Sequence, residues 1–261
     1  MQSNKISIIT VNYNNLEGLK RTVESVVGQT WKEFEYIIID GGSTDGSTAF
    51  LKENDNLFNY WVSEPDNGVY HAMNKGIAKA SGEYLLFLNS GDHFYDTKVL
   101  ENNQNVIVDY DLIYFNMNVI GENKKFVKQY PDTLSFAYFL KDNLPHPAIL
   151  IKKELFQTVG LFNEDFKIVS DWKFFIDSIC RYNCKYLHVD KILTTFYLDG
   201  ISSLFENRVI IDKEKQEVLQ SGYAAYMQDL DDVLKYMTIV NSLRRSRIIK
   251  YLIRFGFLNK F

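Results

Sequence analysis

Four short runs of β-branched and aromatic residues in the first 92 positions each stop at a polar, turn-forming cluster. Ile6, Ile8, Ile9 and Val11 lead to Asn12-Tyr13-Asn14-Asn15, and residues 34–39 lead to Asp40-Gly41-Gly42. Residues 58–62 lead to Glu64-Pro65-Asp66-Asn67-Gly68, and residues 84–88 to Asn89-Ser90-Gly91-Asp92. Helical stretches separate them. Leu16, Leu19, Val23, Val26 and Val27 recur at helical spacing, a helix capped by Thr44 or Asp45 starts near Ser47, and another covers 69–80. Strand–helix alternation of this kind predicts a parallel sheet with right-handed crossovers, covered on both faces. In such a sheet the strand ends share one edge, and ligands sit beyond it. A β-turn accounts for any one cluster; four in succession favour a site.

The chemistry of that edge is acidic. Asp92, on a turn that Gly91 permits, is suited to a hard divalent cation. Asp40 and Asp66 can accept from an imide N–H of a nucleobase. There is no Gly-x-x-x-x-Gly-Lys loop and no Gly-x-Gly-x-x-Gly after the first strand. An acidic edge cannot hold a pyrophosphate alone, but a metal ion bridging carboxylate and phosphate can.

Composition narrows the class. With 261 residues, 46% apolar and 15% aromatic, the chain supports one large domain, or a domain plus an appendage, and is not disordered. A net charge of −4 excludes a general nucleic-acid footprint. The last 21 residues hold six basic and no acidic side chains, so the first 240 carry −10. Two cysteines, Cys180 and Cys184, form neither a disulfide framework nor a zinc pattern. The N-terminus lacks a leader pattern and no apolar run is long enough for a bilayer span, so a cytoplasmic protein is expected.

The second half reads as a strand over 111–120, a hairpin partner over 124–129, a helix over 133–140, a short strand over 148–151 and a helix over 153–159. His146 lies between two prolines on a stiff loop. Val169-Ser170-Asp171-Trp172 precedes a helix over 172–182, where Asp171 could serve as an N-cap. Two strands, 185–189 and 193–198, come next, and His188 within them is expected to be packed. Helices follow from Leu204 on. Residues 243–257 place Arg247, Lys250 and Arg254 on one face, which suits either peripheral contact with a membrane or a helix docked on the domain.

Thr10-Val11-Asn12-Tyr13-Asn14, Asp40 through Ser47, Asp66-Asn67-Gly68 through Met73-Asn74-Lys75-Gly76, and Gly82-Glu83-Tyr84 through Asp92 occur in the order that resembles a family 2 inverting glycosyltransferase, of the branch that builds bacterial surface polysaccharides. The resemblance is close over the first hundred residues and looser to about Ser203. It implies an α/β glycosyltransferase A fold: a Rossmann-like, mostly parallel central sheet flanked by helices. The catalytic domain would span 1–203, with a nucleotide-sugar half 1–103 and an acceptor half 104–203, and 204–261 would be a helical extension. The activity implied moves a hexose or N-acetylhexosamine from a UDP-sugar to a saccharide, often lipid-linked, acceptor, with Mn2+ or Mg2+. Thr10, Asn12, Asp40, Asp66, Asn89 and Ser90 would surround the nucleotide. Asn89 through Asp92 takes the place of the Asp-x-Asp motif, with Asn89 where an acid often stands and Asp92 as the metal ligand. His71 stands where this branch more often has Asp, and Lys75 is open to either a surface or a phosphate role. Asp171 would be the general base that takes the acceptor's proton, with His146 and Trp172 toward acceptor or phosphate. No ligand is assigned at Asp199-Gly200. A nucleotidyltransferase and a non-catalytic nucleotide-sugar-binding protein of the same fold are the alternatives.

Overall fold

A computed structural model describes residues 5–200, 203–246, 249, 251, 252, 255 and 257. The chain forms two compact units, 1–211 and 212–261.

The first unit is built on a nine-stranded sheet. Its first half is β1 (Ile6–Asn12), α1 (Leu16–Val27), β2 (Phe34–Asp40), α2 (Ser47–Glu53), β3 (Tyr60–Ser63), α3 (Val69–Lys79) and β4 (Tyr84–Phe87). These four strands are parallel, in the order β3-β2-β1-β4. Asn12 is level with Asp40, and Asp40 with Ser63, so the polar tips share one edge as the sequence pattern requires. Ile6, Ile8 and Ile9 of β1 and Leu85, Leu86 and Phe87 of β4 are wholly buried. Each such side chain contributes about 1.5–3 kcal/mol. A strand buried on both faces needs this continuous apolar run.

The second half adds β5 (His93–Phe94), α4 (Val99–Asn103), β6 (Leu112–Gly121), β7 (Lys124–Lys128), α5 (Phe136–Phe139), β8 (Ile149–Lys152), α6 (Leu155–Val159), α7 (Ser170–Cys180) and β9 (Tyr186–Tyr197). The order continues β4-β8-β6-β9-β5, with β7 paired to β6. β8 is antiparallel to both its neighbours, and β6 and β9 are parallel to each other.

Three expectations are corrected, and two elements are added. The two strands at 185–189 and 193–198 are one strand, because Asp190-Lys191, which reads as a turn, is a bulge opposite Phe115 and Asn116. Asn116 Nδ2 donates to Asp190 at 2.7 Å and ties the bulge down. The helix expected over 133–140 shrinks to α5. α7 begins at Ser170, so Asp171 is in its first turn and is not its cap. β5 and α4 carry too little periodicity to be read from sequence.

In the second unit, helix α8 (Arg208–Gly222) crosses the boundary and α9 (Ala224–Arg245) follows. α9 is continuous to Arg245. Arg247, Lys250 and Arg254, on which the membrane-contact expectation rests, lie outside the described residues. No helix among the described residues is long and apolar enough to cross a membrane.

Candidate active site

A cleft of about 790 Å³ opens at the carboxyl ends of β1, β2, β3 and β4. Asn12, Asp66, Asn89, Ser90 and Asp92 line it, and so do Tyr13, Gly41 and Asn15. The far wall is the end of β9 and the turn after it, with Tyr197, Asp199 and Gly200. Five of the expected residues are therefore brought together. Asp199 and Gly200, at which no ligand was assigned from the sequence, join them.

Asp40 does not face the cleft. It is fully buried and its carboxylate is saturated: Oδ1 accepts from Asn12 Nδ2 (2.7 Å) and Ser43 Oγ (2.6 Å), and Oδ2 from Ser43 N–H (2.9 Å) and Ser63 Oγ (2.6 Å). Burial alone would raise its pKa, but the bonds from Ser43, Ser63 and Asn12 outweigh it and hold the carboxyl below its ordinary value. For Asp40 to contact a base, a hydroxyl of Ser43 or Ser63 would first have to rotate away. As it stands, Asp40 fixes Asn12 and the Gly41-Gly42 loop. Thr10 is also outside the cleft lining. It is wholly buried, donating to Leu88 C=O at 2.7 Å and lying 3.1 Å from Tyr36 Oη, where it locks β1 to β4 and β2.

Asn12 is 3% exposed, and its Oδ1 has no hydrogen-bond partner among the described residues; Asn89 Oδ1 is in the same condition. Both residues line the cleft. Buried acceptors without partners are costly, about 1–3 kcal/mol each, unless a ligand or water completes them. Asp66 is half-buried and accepts from Gly68 N–H at 2.9 Å. Its other oxygen lies where a Cβ on Gly41 would be, so Gly41 is needed for that carboxylate to sit there.

Asp92 follows Gly91, whose φ of +111° favours glycine. Thr22 Oγ1 pins the turn, accepting from Gly91 N–H at 3.0 Å and lying 2.7 Å from Asp92 C=O. The Asp92 carboxyl is 8% exposed, with one long contact, 3.4 Å, from Tyr197 N–H. Burial pushes its pKa up to about 8, with the charge of Asp199 adding and the Tyr197 N–H and Arg21 opposing. The donor set fits a hard cation: Asp92 and Asp199 carboxylates and the partnerless Asn89 oxygen line one cleft, all oxygen ligands. Among the described residues no group of three or more His, Cys, Asp or Glu could hold an ion unaided. Mg2+ and Mn2+ sites commonly take only one or two carboxylates, the substrate's phosphates supplying the rest.

Asp171 is half-buried and outside the cleft lining. Tyr70 Oη donates to its Oδ1 (2.9 Å) and Asn143 Nδ2 to its Oδ2 (3.0 Å). Tyr70 sits on α3 between Val69 and Ala72, which form the cleft wall, with Val69 next to it in the chain. His146 stacks on Phe87 at 5.3 Å between ring centres and contacts Phe162 and Phe175. Burial lowers its pKa, against the pull of the Asp171 charge, and its Nε2 has no partner among the described residues. This neutral ring is suited to polar contact with a ligand but supplies no cationic charge. Trp172 is outside the cleft lining: it is 1% exposed and donates through Nε1 to Phe139 C=O at 2.9 Å, as a core anchor of α7. Lys75 pairs with Glu64 at 2.7 Å, and His71 Nδ1 accepts from Asn67 N–H at 3.1 Å, which accounts for both locally. Tyr70 and Asn143 were missed, because a buried helical Tyr and a loop Asn carry no signal until a partner 28 or 101 residues away is known.

The profile described as Glycosyl transferase family 2 matches residues 7–170. The chain belongs to this family. An uncharacterized glycosyltransferase of Mycobacterium tuberculosis is 35% identical over 206 residues, 76% of this chain and 77% of that one. A PGL/p-HBAD biosynthesis glycosyltransferase of Mycobacterium bovis is 31% identical over 229 residues, covering 82% and 83%. Among solved structures, Staphylococcus aureus TarS residues 1–349 in complex with UDP superposes with a TM-score of 0.61 at 21% identity, over 74% of this chain and 60% of that one. The likeness establishes the glycosyltransferase A fold for this family 2 chain, which spans about three fifths of that structure's length.

Proposed function

We propose that this glycosyltransferase transfers a sugar from a UDP-sugar to a hydroxyl of a glycolipid or lipid-linked saccharide, with inversion at the anomeric carbon. The observation that carries the reading is the cleft itself. Two buried amide oxygens without partners and two carboxylates, Asp66 and Asp92, converge where four strands end. A UDP donor is supported by the TarS complexes with UDP and UDP-GlcNAc, and a glycolipid acceptor by the PGL/p-HBAD relative. A mannosyltransferase of Pyrobaculum calidifontis, TM-score 0.59 at 14% identity over 76% of this chain and 58% of that one, is described with GDP-Man and Mn2+, which supports a divalent cation.

Asn12 and Asp66 hold the nucleoside in this reading, and Ser90 flanks it. Asp92, with Asn89 and Asp199, would hold Mn2+ or Mg2+. When bound, such an ion acts as a Lewis acid that neutralises the leaving diphosphate. Asp171 takes the proton of the acceptor hydroxyl as that oxygen attacks the anomeric carbon and the bond to the diphosphate breaks. His146 orients acceptor or phosphate as a neutral partner. A nucleotide-sugar donor supports a cytoplasmic enzyme.

Calorimetry of UDP, GDP and their sugars, each with and without Mn2+, tests the donor. UDP and UDP-sugars are expected to bind with Mn2+ and to release UDP when acceptor is added. Binding without turnover on any saccharide acceptor favours the non-catalytic alternative, and preference for GDP overturns the UDP assignment. Gly41→Ala is expected to weaken UDP binding by about 10-fold or more, the loss of a hydrogen bond to a charged group. The new Cβ displaces the Asp66 carboxylate while leaving thermal stability nearly unchanged. Wild-type affinity in that variant would remove Asp66 from the donor site.

A further inference from the structure

The Asp171 carboxylate is gripped on both oxygens, and the two grips differ. Asn143 is fixed. Its Oδ1 accepts from Leu144 N–H at 2.8 Å, so the amide can present only its NH2 to Asp171. Tyr70 is different. Its hydroxyl carries one proton but faces two acceptors, Asp171 Oδ1 at 2.9 Å and Ile168 C=O at 2.6 Å. One proton cannot serve both at once. The ring is 4% exposed and held by Phe162, with centres 5.7 Å apart, so the hydroxyl can turn but the side chain cannot leave. Burial, and then the charge of Asp171, push the phenol well above its ordinary pKa of 10, so the proton stays on Tyr70.

We propose that Tyr70 is a positioning residue whose hydroxyl serves both charge states of Asp171, donating to the carboxylate before transfer and turning to Ile168 C=O once Oδ1 carries a proton. This rests on Asp171 being the base. In the ionised state Tyr70 and Asn143 aim and stabilise the carboxylate. The proton then comes from the acceptor hydroxyl, whose oxygen bonds to the anomeric carbon while the C–O bond to the diphosphate breaks. The new O–H on Asp171 donates to Tyr70 Oη, whose own O–H, keeping its proton, turns to donate to Ile168 C=O. The base is thus hydrogen-bonded on both sides of the step, and no net proton passes through Tyr70. After product leaves, the proton passes to water and the hydroxyl turns back. Because Tyr70 lies between two residues of the cleft wall, the same turn of α3 holds the donor side and the base.

Tyr70→Phe removes only the hydroxyl. It is expected to lower kcat by about 10–100-fold, the worth of a hydrogen bond to a charged group, with KM for the donor unchanged. Asn143→Ala is expected to lower kcat in the same way, again with KM for the donor unchanged. A folded Tyr70→Phe enzyme with wild-type kcat, or with its loss of rate matched by a loss of donor affinity, overturns the proposal. Asp171→Asn separates the two levels. If it is inactive while Tyr70→Phe keeps wild-type kcat, only the role of Tyr70 falls; if it keeps turnover, the base assignment falls first.

Discussion

Asp171→Asn is expected to lower kcat by about 10²–10⁴-fold, the range spanned by general acid–base catalysis, while UDP-sugar affinity stays close to wild type. The amide is nearly isosteric and keeps an oxygen for Tyr70 or Asn143, so the α3–α7 contact survives. It cannot take a proton at neutral pH. The separation of effects follows from position: Asp171 does not line the donor cleft, so its loss removes no donor contact. Initial rates of UDP release with acceptor, set beside calorimetry of the donor alone, give both numbers. Unchanged turnover removes Asp171 from the base role, and a parallel loss of donor affinity makes it a structural residue.

Asp92→Asn carries the second large effect, with a sign that depends on pH. The carboxyl of Asp92 is raised to about 8 in the folded chain, mainly by burial, against about 3.9 when unfolded. Between those values the folded state holds a proton that the unfolded state has lost. Stability from this group is therefore complete below pH ~4, falls as pH rises at up to about 1.4 kcal/mol per unit, and is gone above pH ~8. In EDTA, the wild-type Tm is expected to drop between pH 6 and 9. Asp92→Asn, neutral throughout, should drop less and be the more stable protein at pH 9. Added Mn2+ reverses the order, stabilising the wild type at high pH and not the variant, and Mn2+-dependent UDP-sugar binding weakens about 100-fold or more, as expected when a buried charged ligand is removed. A wild-type Tm that is flat across this range in EDTA would show that Asp92 is already ionised and solvated. Equal response of both proteins to Mn2+ would take Asp92 out of the metal site.

The local code settled what is periodic. Alternation of buried apolar runs with amphipathic helices specified β1 to β4 and α1 to α3 almost to the residue, because strand and helix periods and turn chemistry are short-range properties. Parallel pairing then required Asn12, Asp40, Asp66 and Asn89 through Asp92 to gather at one edge, and they do. Which way each side chain faces was not encoded locally. Asp40 ends β2 and Thr10 lies two residues before the end of β1, yet Ser43, Ser63, Tyr36 and Leu88 C=O claim their polar atoms and turn them inward. Trp172 follows Asp171 in sequence, but one step along a helix is about 100° of rotation. That step sends Asp171 toward Tyr70 and Trp172 into the core beneath Phe139. The bulge in β9, the wall at Asp199, and the grip of Tyr70 and Asn143 on Asp171 all depend on partners far off in the chain. Composition and periodicity chose the elements and the edge where they end; only the packing of distant segments decided that Asp40 is saturated, that Asp66 and Asp92 line the cleft, and that Tyr70 and Asn143 grip Asp171.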